Sequence, residues 1–443
     1  MKTVRIGAGA GYSGDRIDPA VELAEKGDIS YLIFECLAER TIAIAQEARL
    51  LDPSAGYDPL LEARMEAVLP LCVRQGIRII SNMGAANPRA AAAKTCEIAR
   101  SLGLRGVRIA AVTGDDVVQQ LRAGEEIVES PEGPLPPRDR WLSANAYLGV
   151  ASILDALRSG ADVIVTGRVA DPALFVAPLI HEFGWALDDW NLLGQGTVVG
   201  HLLECAGQLT GGYFADPGYK DVPDLAHLGF PIAEVSSEGS AILSKVEGSG
   251  GLLSCATCTE QLLYEIQNPS AYYTPDVVAD FSHVSFEEIG PNRVRVSGGA
   301  GVVRPSSFKV SVGYRDGYIG EGQISYAGPN ALARAELAHS ILAERLASHP
   351  FSELRFDFIG LNSIHGPRLS KDAPTPYEIR LRAAGRAASS ATAGSIAREV
   401  EALYTNGPAG GGGAFGSTRE IVAIISALIP QESICHEITM LES

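Results

Sequence analysis

Gly7-Ala8-Gly9-Ala10-Gly11-Tyr12-Ser13-Gly14-Asp15-Arg16 follows a short apolar run, Val4 to Ile6, and precedes a helical pattern opening at Asp18-Pro19. A strand, a glycine-rich turn and a helix start so close together form the layout of a loop that cradles an anion or a cofactor. The spacing Gly9-x-Gly11-x-x-Gly14 also matches the dinucleotide fingerprint, and Glu35 ends a second apolar run, about where a ribose-binding carboxylate belongs. Asp15 argues against a dinucleotide, because an unpaired carboxylate directly after the third glycine is unfavourable beside a pyrophosphate. The helix start argues the same way, since Asp18 as N-cap with Pro19 at the first helical position places it later than the fingerprint requires. Another anionic ligand, gripped by the loop amides and Arg16, and a purely structural tight turn both stay open.

Outward from this loop the first half alternates regularly. Apolar runs at 4–6, 30–34, 77–80, 107–112 and 163–166 are separated by helical patterns such as 41–51, 60–75, 88–102 and 147–159. Short apolar strands alternating with helices predict an α/β fold, a parallel sheet of doubly wound type with helices on both faces. Right-handed crossovers follow. The strand ends carry the chemistry: the glycine loop, Glu35-Cys36, Ser81-Asn82-Met83-Gly84 with Asn87 beyond, Thr113-Gly114-Asp115-Asp116, and Thr166-Gly167-Arg168 with Asp171. Turns are polar and glycine-rich anyway, but five in succession favour a site at the C-terminal edge, where open α/β sheets bind ligands.

From about residue 276 the texture changes. Strand patterns at 293–297, 308–312, 322–326, 355–359, 378–383 and 421–429, with helices at 331–347 and 388–404, predict a second α+β domain built around a split βαβ sheet. Pro269 and Pro275 break the pattern, so the expected domains are 1–275 and 276–443. The late run Gly407–Gly413, with Gly411 and Gly412 at its centre, reads either as close backbone approach to a ligand or as a flexible connection before the last strand.

Composition bounds the partners. A net charge of -17 over 443 residues argues against nucleic acid and anionic membrane, though local amides can still hold a small anion. Seven cysteines without framework spacing, no signal-peptide core and no long apolar run lead to the expectation of a soluble cytoplasmic protein. Cys255-x-x-Cys258 has redox spacing but no second pair and no thioredoxin-like setting. The titratable candidates are Glu35, Asp115, Asp116, Arg168, Asp171, His201 and Glu204. His201 and Glu204 share a helix face, an arrangement more often a surface or packing contact than a site. The remaining histidines show no metal spacing, so no metal is expected, and no nucleophile elbow, P-loop or zincin motif occurs.

Several blocks together carry a resemblance. They are Gly9–Arg16, Phe34-Glu35-Cys36-Leu37-Ala38-Glu39-Arg40-Thr41, Asn82-Met83-Gly84-Ala85-Ala86-Asn87-Pro88 and Thr166-Gly167-Arg168-Val169-Ala170-Asp171. Gly200-His201-Leu202-Leu203-Glu204-Cys205 with Thr210-Gly211-Gly212, Gln261-Leu262-Leu263-Tyr264-Glu265, Tyr273-Thr274-Pro275-Asp276-Val277 and the Gly407–Gly413 run complete it. The chain resembles the acyclic terpene utilisation (AtuA) family over nearly its whole length. That resemblance implies a place in the breakdown of branched acyclic terpenoids and related organic acids, with intermediates carried as CoA thioesters. Longer members continue into a small ferredoxin-like domain with a Ser-Gly-Asp-Lys-Gly signature. Its absence before Ser443 leads to the expectation of a separate small ferredoxin-like partner subunit.

The expected activity is that of a lyase or hydratase acting on an acyclic acid or acyl-CoA, in a protein that forms a homo-oligomer. Glu35 or Asp115 would be the base, and Asp171 is a further catalytic candidate. The Gly9–Gly14 amides with Tyr12 and Ser13, and Arg16 and Arg168, would hold a carboxylate or oxyanion; Asn82 would be a second donor. No cofactor is expected beyond CoA as substrate carrier. A non-catalytic ligand-binding or scaffolding subunit and a nicotinamide-dependent oxidoreductase are the alternatives.

Overall fold

The computed structural model describes residues 2–124 and 129–443. The first part of the chain runs β1 (Thr3–Ala10), α1 (Asp18–Lys26), β2 (Tyr31–Phe34), α2 (Glu39–Leu51), α3 (Leu61–Gln75), β3 (Arg78–Ser81), α4 (Pro88–Ser101) and β4 (Arg108–Thr113). It continues through α5 (Val118–Ala123), β5 (Trp141–Ala146), α6 (Val150–Arg158), β6 (Val163–Thr166), α7 (Ala173–Phe183), α8 (Trp190–Glu204), β7 (Pro231–Ser236), β8 (Ala241–Lys245) and α9 (Cys255–Leu263). Next come β9 (Tyr272–Tyr273), β10 (Val278–Asp280), β11 (Ser285–Gly290), β12 (Arg293–Ser297), β13 (Ala300–Val302) and β14 (Ser307–Ala327). The remainder is α10 (Ala331–Leu346), β15 (Phe351–Ile359), α11 (Gly366–Leu369), β16 (Glu378–Ala387), α12 (Ser390–Asn406), β17 (Gly412–Pro430) and β18 (Glu437–Glu442).

The expected α/β fold is present, with a mixed rather than wholly parallel sheet. Its order is β11-β12-β8-β7-β1-β2-β3-β6-β4-β18, and the five central strands from β1 to β4 are parallel. Both β2 (Tyr-Leu-Ile-Phe) and β6 (Val-Ile-Val-Thr) are buried along their full length, which is why they read as continuous apolar runs without alternation. From β1 to β4 the chain moves one way across the sheet, and from β4 to β6 it moves back. Right-handed crossovers then place helices on opposite faces: α1, α3 and α4 pack together on one, α6, α7 and α8 on the other. Adjacent strands β3 and β6 therefore lead to helices on opposite faces, and their C-terminal ends form a topological switch point.

The molecule divides into two compact units, residues 1–313 with 424–443, and residues 314–423. This differs from the boundary expected near 275. Residues 276–313 belong to the first unit because β12 pairs with β8 in the large sheet. Both Asp276 carboxylate oxygens also accept the Val150 amide at the start of α6, at 3.0 Å. Patterns expected as two strands, 308–312 and 322–326, are one long strand, β14. The chain passes between the units along β14 and returns along β17. Beyond the strand expected at 421–429 lies a further strand, β18, antiparallel to β4. Helix α1 begins at Asp18 with Ile17 as N-cap, so Asp18 is not the capping residue.

In the second unit the expected α+β composition holds. Ile324, Tyr326, Ile379 and Leu381 of the strands pack against Ala335, Leu342, Ile396 and Val400 of α10 and α12. Arg382 of β16 bonds Glu321 at 2.7 Å and Asp357 at 2.8 Å across the neighbouring strands. The sheet order there is β15-β16-β14-β17, with β14 and β15 both antiparallel to β16.

Candidate acid–base site at the strand ends

Glu35, one residue beyond β2, is buried. Its Oε1 accepts two hydrogen bonds, from the Leu37 amide at 2.9 Å and from Asn82 Nδ2 at 2.8 Å. Asn82, just beyond β3, accepts the Cys36 amide at 2.7 Å through its own Oδ1, so one side chain ties two strand ends together and aims Glu35. Burial, reinforced by the negative charge of Asp171 and opposed by Arg168, raises the Glu35 carboxyl to about 8.

Arg168, beyond β6, is only 1% exposed. It donates from Nε to the Val169 carbonyl at 2.8 Å and from its two Nη groups to the Leu37 carbonyl and to Asp171. The guanidinium lies 4.6 Å from the centre of the Tyr147 ring. Burial alone would lower its pKa, but Asp171, Tyr147 and Glu35 outweigh it and keep the cation charged. Asp171 keeps 35% of its side chain open, and burial of the remainder pushes its carboxyl up despite the Arg168 pair.

Asp115, beyond β4, accepts the Arg168 amide at 2.8 Å and Asn145 Nδ2 at 2.9 Å, both at Oδ2. It fixes the turn that carries Arg168, and burial raises it to about 6. Lys309 Nζ, at 2.5 Å, and the Tyr147 hydroxyl, at 2.9 Å, both donate to Glu39. Burial would raise Glu39, but Lys309 and Tyr147 hold it below the ordinary value. The Lys309 ammonium stands 5.1 Å from the Tyr147 ring centre and its side chain is nearly half exposed.

The glycine loop is arranged differently. Asp15 Oδ2 accepts the Gly11 amide and Oδ1 the Arg16 amide, each at 2.9 Å, so the carboxylate turns back onto its own loop. Arg64 Nη2 takes the carbonyls of Tyr12, Ser13 and Asp15 at 3.3, 2.8 and 3.2 Å. Its Nη1 bonds Asp58 at 3.1 Å, and the Ser13 hydroxyl bonds the same carboxylate. The Arg16 guanidinium pairs with Asp18 and donates to the Ala226 carbonyl at 2.8 Å. A Cβ on Gly11 would stand 2.5 Å from the Cys205 backbone carbon, so this glycine permits a close chain crossing.

Of the expected site residues, the structure brings together Glu35, Asn82, Asp115, Arg168 and Asp171. Gly84 lies beside them as a packing contact, where a Cβ would stand 2.4 Å from the Thr166 carbonyl oxygen. Asn87 caps α4 through the Ala90 amide and donates to the carbonyls of Pro53 and Ala55 at 2.9 and 2.8 Å. Gly9 lies within β1 against the Phe34 ring, Gly14 lies against the Tyr12 ring, and Tyr12 is exposed. Gly411 and Gly412 belong to the second unit, where Gly411 packs on Ile324 and Tyr326. His201 and Glu204, expected to share a helix face, form an inward-facing hydrogen-bonded pair, Nδ1 to Oε1 at 2.8 Å, with His201 buried.

Arg64, Asn145, Tyr147 and Lys309 escaped sequence reasoning. Arg64 had a signal, since it sits within the apolar stripe Leu61, Met65, Val68, Leu69 and Cys72 of α3. The others lie near strand boundaries with no spacing to mark them.

No curated protein matches the sequence. Among solved structures, a homoserine dehydrogenase from Thiobacillus denitrificans aligns at 12% identity over 91% of this chain and 83% of its own, with a TM-score of 0.16, which carries no argument. The family description "Acyclic terpene utilisation family protein AtuA" matches residues 4–440, from the first residues of β1 into β18. It covers the strand-end cluster and both compact units, and the chain belongs to the acyclic terpene utilisation family.

Proposed function

We propose that the chain is an enzyme of acyclic terpenoid or branched organic acid catabolism that acts on a carboxylic acid or its CoA thioester by lyase or hydratase chemistry. The observation that supports this reading is Glu35, buried at a switch-point edge, aimed by Asn82 and raised to about 8. A carboxyl that exchanges its proton near neutral pH is suited to removing or returning the hydrogen alpha to a carbonyl. Asp115 is committed through two hydrogen bonds, to the Arg168 amide and to Asn145, so Glu35 is assigned as the base. Arg168 and Asp171 set its field, and Asn82 is its positioning residue. Lys309 is assigned to the anionic end of the substrate, because its ammonium reaches solvent beside the same Tyr147 ring.

The test is α-hydrogen exchange. Branched acyl-CoA thioesters and the corresponding free acids are incubated with the protein in deuterated water and followed by mass spectrometry. Wild type is expected to incorporate deuterium at the α-carbon, and Glu35→Gln to do so about 10²–10⁴-fold more slowly. No incorporation by wild type across the panel, or equal incorporation by the variant, overturns the proposal.

A further inference from the structure

His201 and Glu204 stand one turn apart on α8, and the His201 ring is walled by Tyr272 and Phe281 at 5.4 Å each. Its Nε2 lies 3.2 Å from the Leu262 carbonyl oxygen. A carbonyl can only accept, so Nε2 carries a hydrogen, and the short Nδ1 to Glu204 Oε1 contact must hold one proton between its two atoms. Burial raises Glu204 to about 7, and its carboxylate in turn holds the His201 pKa above the ordinary value, against the opposing effect of burial.

Two buried side-chain oxygens beside this pair have no hydrogen-bond partner among the described residues: Glu204 Oε2 and Gln261 Oε1. Gln261 is only 3% exposed, and its amide orientation is set by Nε2 donating to the His201 carbonyl at 3.2 Å. Both side chains border Cys205: Glu204 precedes it in the chain, and Gln261 acts on its thiol against the effect of burial. Buried acceptors are costly when unpaired, and the smallest molecule that donates to two of them is water. These groups lie within electrostatic reach of the strand-end cluster: the charge of Asp171 acts on Glu204 and Tyr272, and that of Glu35 on Cys205.

We infer that His201, Glu204 and Gln261 form the water- and hydroxyl-handling half of the site, holding the oxygen that hydration adds to an acyl chain or dehydration removes. This rests on the assignment of Glu35 as the α-carbon base. In the dehydrating direction Glu35 takes the α-hydrogen as a proton and the C–H electron pair becomes the C=C bond. The β C–O bond breaks with its electron pair on oxygen, that oxygen takes the proton held by Glu204 and His201, and water departs. Hydration is the reverse. Solvent restores both carboxyl groups, so no oxidant or reductant is needed.

The experiment uses the full chain with 3-hydroxy-3-methylbutanoyl-CoA, a small 3-hydroxyacyl thioester branched at the β-carbon, in deuterated and in heavy-oxygen water. Wild type is expected to exchange both the α-hydrogen and the hydroxyl oxygen. Glu204→Gln is expected to keep α-hydrogen exchange while oxygen exchange falls about 100-fold or more. Gln261→Met, which removes an acceptor and leaves the His201–Glu204 pair, is expected to slow oxygen exchange alone. If either variant retains wild-type oxygen exchange, or if wild type exchanges hydrogen and never oxygen, the water-handling role is overturned and Glu35 stands. Loss of both exchanges in a folded Glu204→Gln overturns the division of labour. No hydrogen exchange by wild type overturns the Glu35 reading, and this inference with it.

Discussion

The loop after β1 and the turns after β2, β3 and β6 leave the same edge of one sheet, and they use their polar groups in opposite ways. In the first, each charge is answered locally: Asp15 holds the Gly11 and Arg16 amides, and Arg64 holds three carbonyls and Asp58. In the second, burial raises Glu35 to about 8 and Asp115, beyond the neighbouring β4, to about 6. In the first, burial also pushes the Asp15 and Asp58 carboxyls up, but the Gly11 and Arg16 amides oppose it at Asp15, and Ser13 and Arg64 at Asp58. The glycine-rich stretch reports backbone shape, a tight turn crossing Cys205. The plainer stretch Phe34-Glu35-Cys36 reports stored electrostatic imbalance, which is the more direct mark of proton chemistry.

The largest effect that tests this contrast is on the closed loop. Arg64 is fully buried, and its partner Asp58 is 2% exposed at the side chain. Arg64→Met leaves a buried carboxylate without its cation and three carbonyls without a donor. A stability loss of about 3–5 kcal/mol is expected in urea denaturation. A loss below about 1 kcal/mol would show that the loop keeps its shape without its cation, and the contrast would break.

The alternation of apolar runs and helical patterns made the parallel core legible, because buried parallel strands must be continuously apolar and their helices must carry a stripe. Four expected runs fall within two residues of β2, β3, β4 and β6. Within the cluster, Glu35, Asn82, Asp115, Arg168 and Asp171 were legible because each ends or closely follows such a strand. What was not legible is pairing across long sequence distance. Nothing local reveals that Asn82 aims Glu35, that Arg168 reaches the Leu37 carbonyl, or that Lys309 meets Glu39. Nor can a glycine spacing say whether its amides face a ligand or a neighbouring aspartate, and Asp15 decided that question here. The antiparallel flanks were missed for a different reason: β7, β8 and β18 are short and lie outside the strand–helix alternation.

A second effect acts on the imbalance itself. Glu35 is raised from an ordinary carboxyl value to about 8 by burial and by Asp171. In the interval between the two values the folded chain binds the proton more tightly than the unfolded one. Its contribution to stability is therefore complete at acid pH and is lost as pH rises from about 4.3 through about 8. Glu35→Gln is expected to flatten that fall when thermal midpoints are compared across the interval. Asp115→Asn is expected to flatten only a shorter span that ends near 6. Parallel wild-type and Glu35→Gln curves would mean that Glu35 holds no extra proton, and the two loops would then differ in shape alone.

The smallest effect falls on Arg16, the one cation of the glycine-rich stretch and, by sequence, a natural grip for an anion. Its guanidinium is directed to Asp18 and to the Ala226 carbonyl, and its side chain is 44% exposed. An exposed ion pair contributes little, because water competes for both charges and two long side chains lose rotamer freedom to form it. Arg16→Ala is expected to change stability by less than about 1 kcal/mol and to leave α-hydrogen exchange at the wild-type rate. Arg168→Met at the same sheet edge is expected to abolish that exchange, since Arg168 holds the Leu37 carbonyl and the field around Glu35. If Arg16→Ala instead raises the acyl-CoA concentration needed for half-maximal exchange, the arginine turns from Asp18 toward the ligand during binding. The closed loop would then be a second wall of the site, and the two halves of the edge would act together.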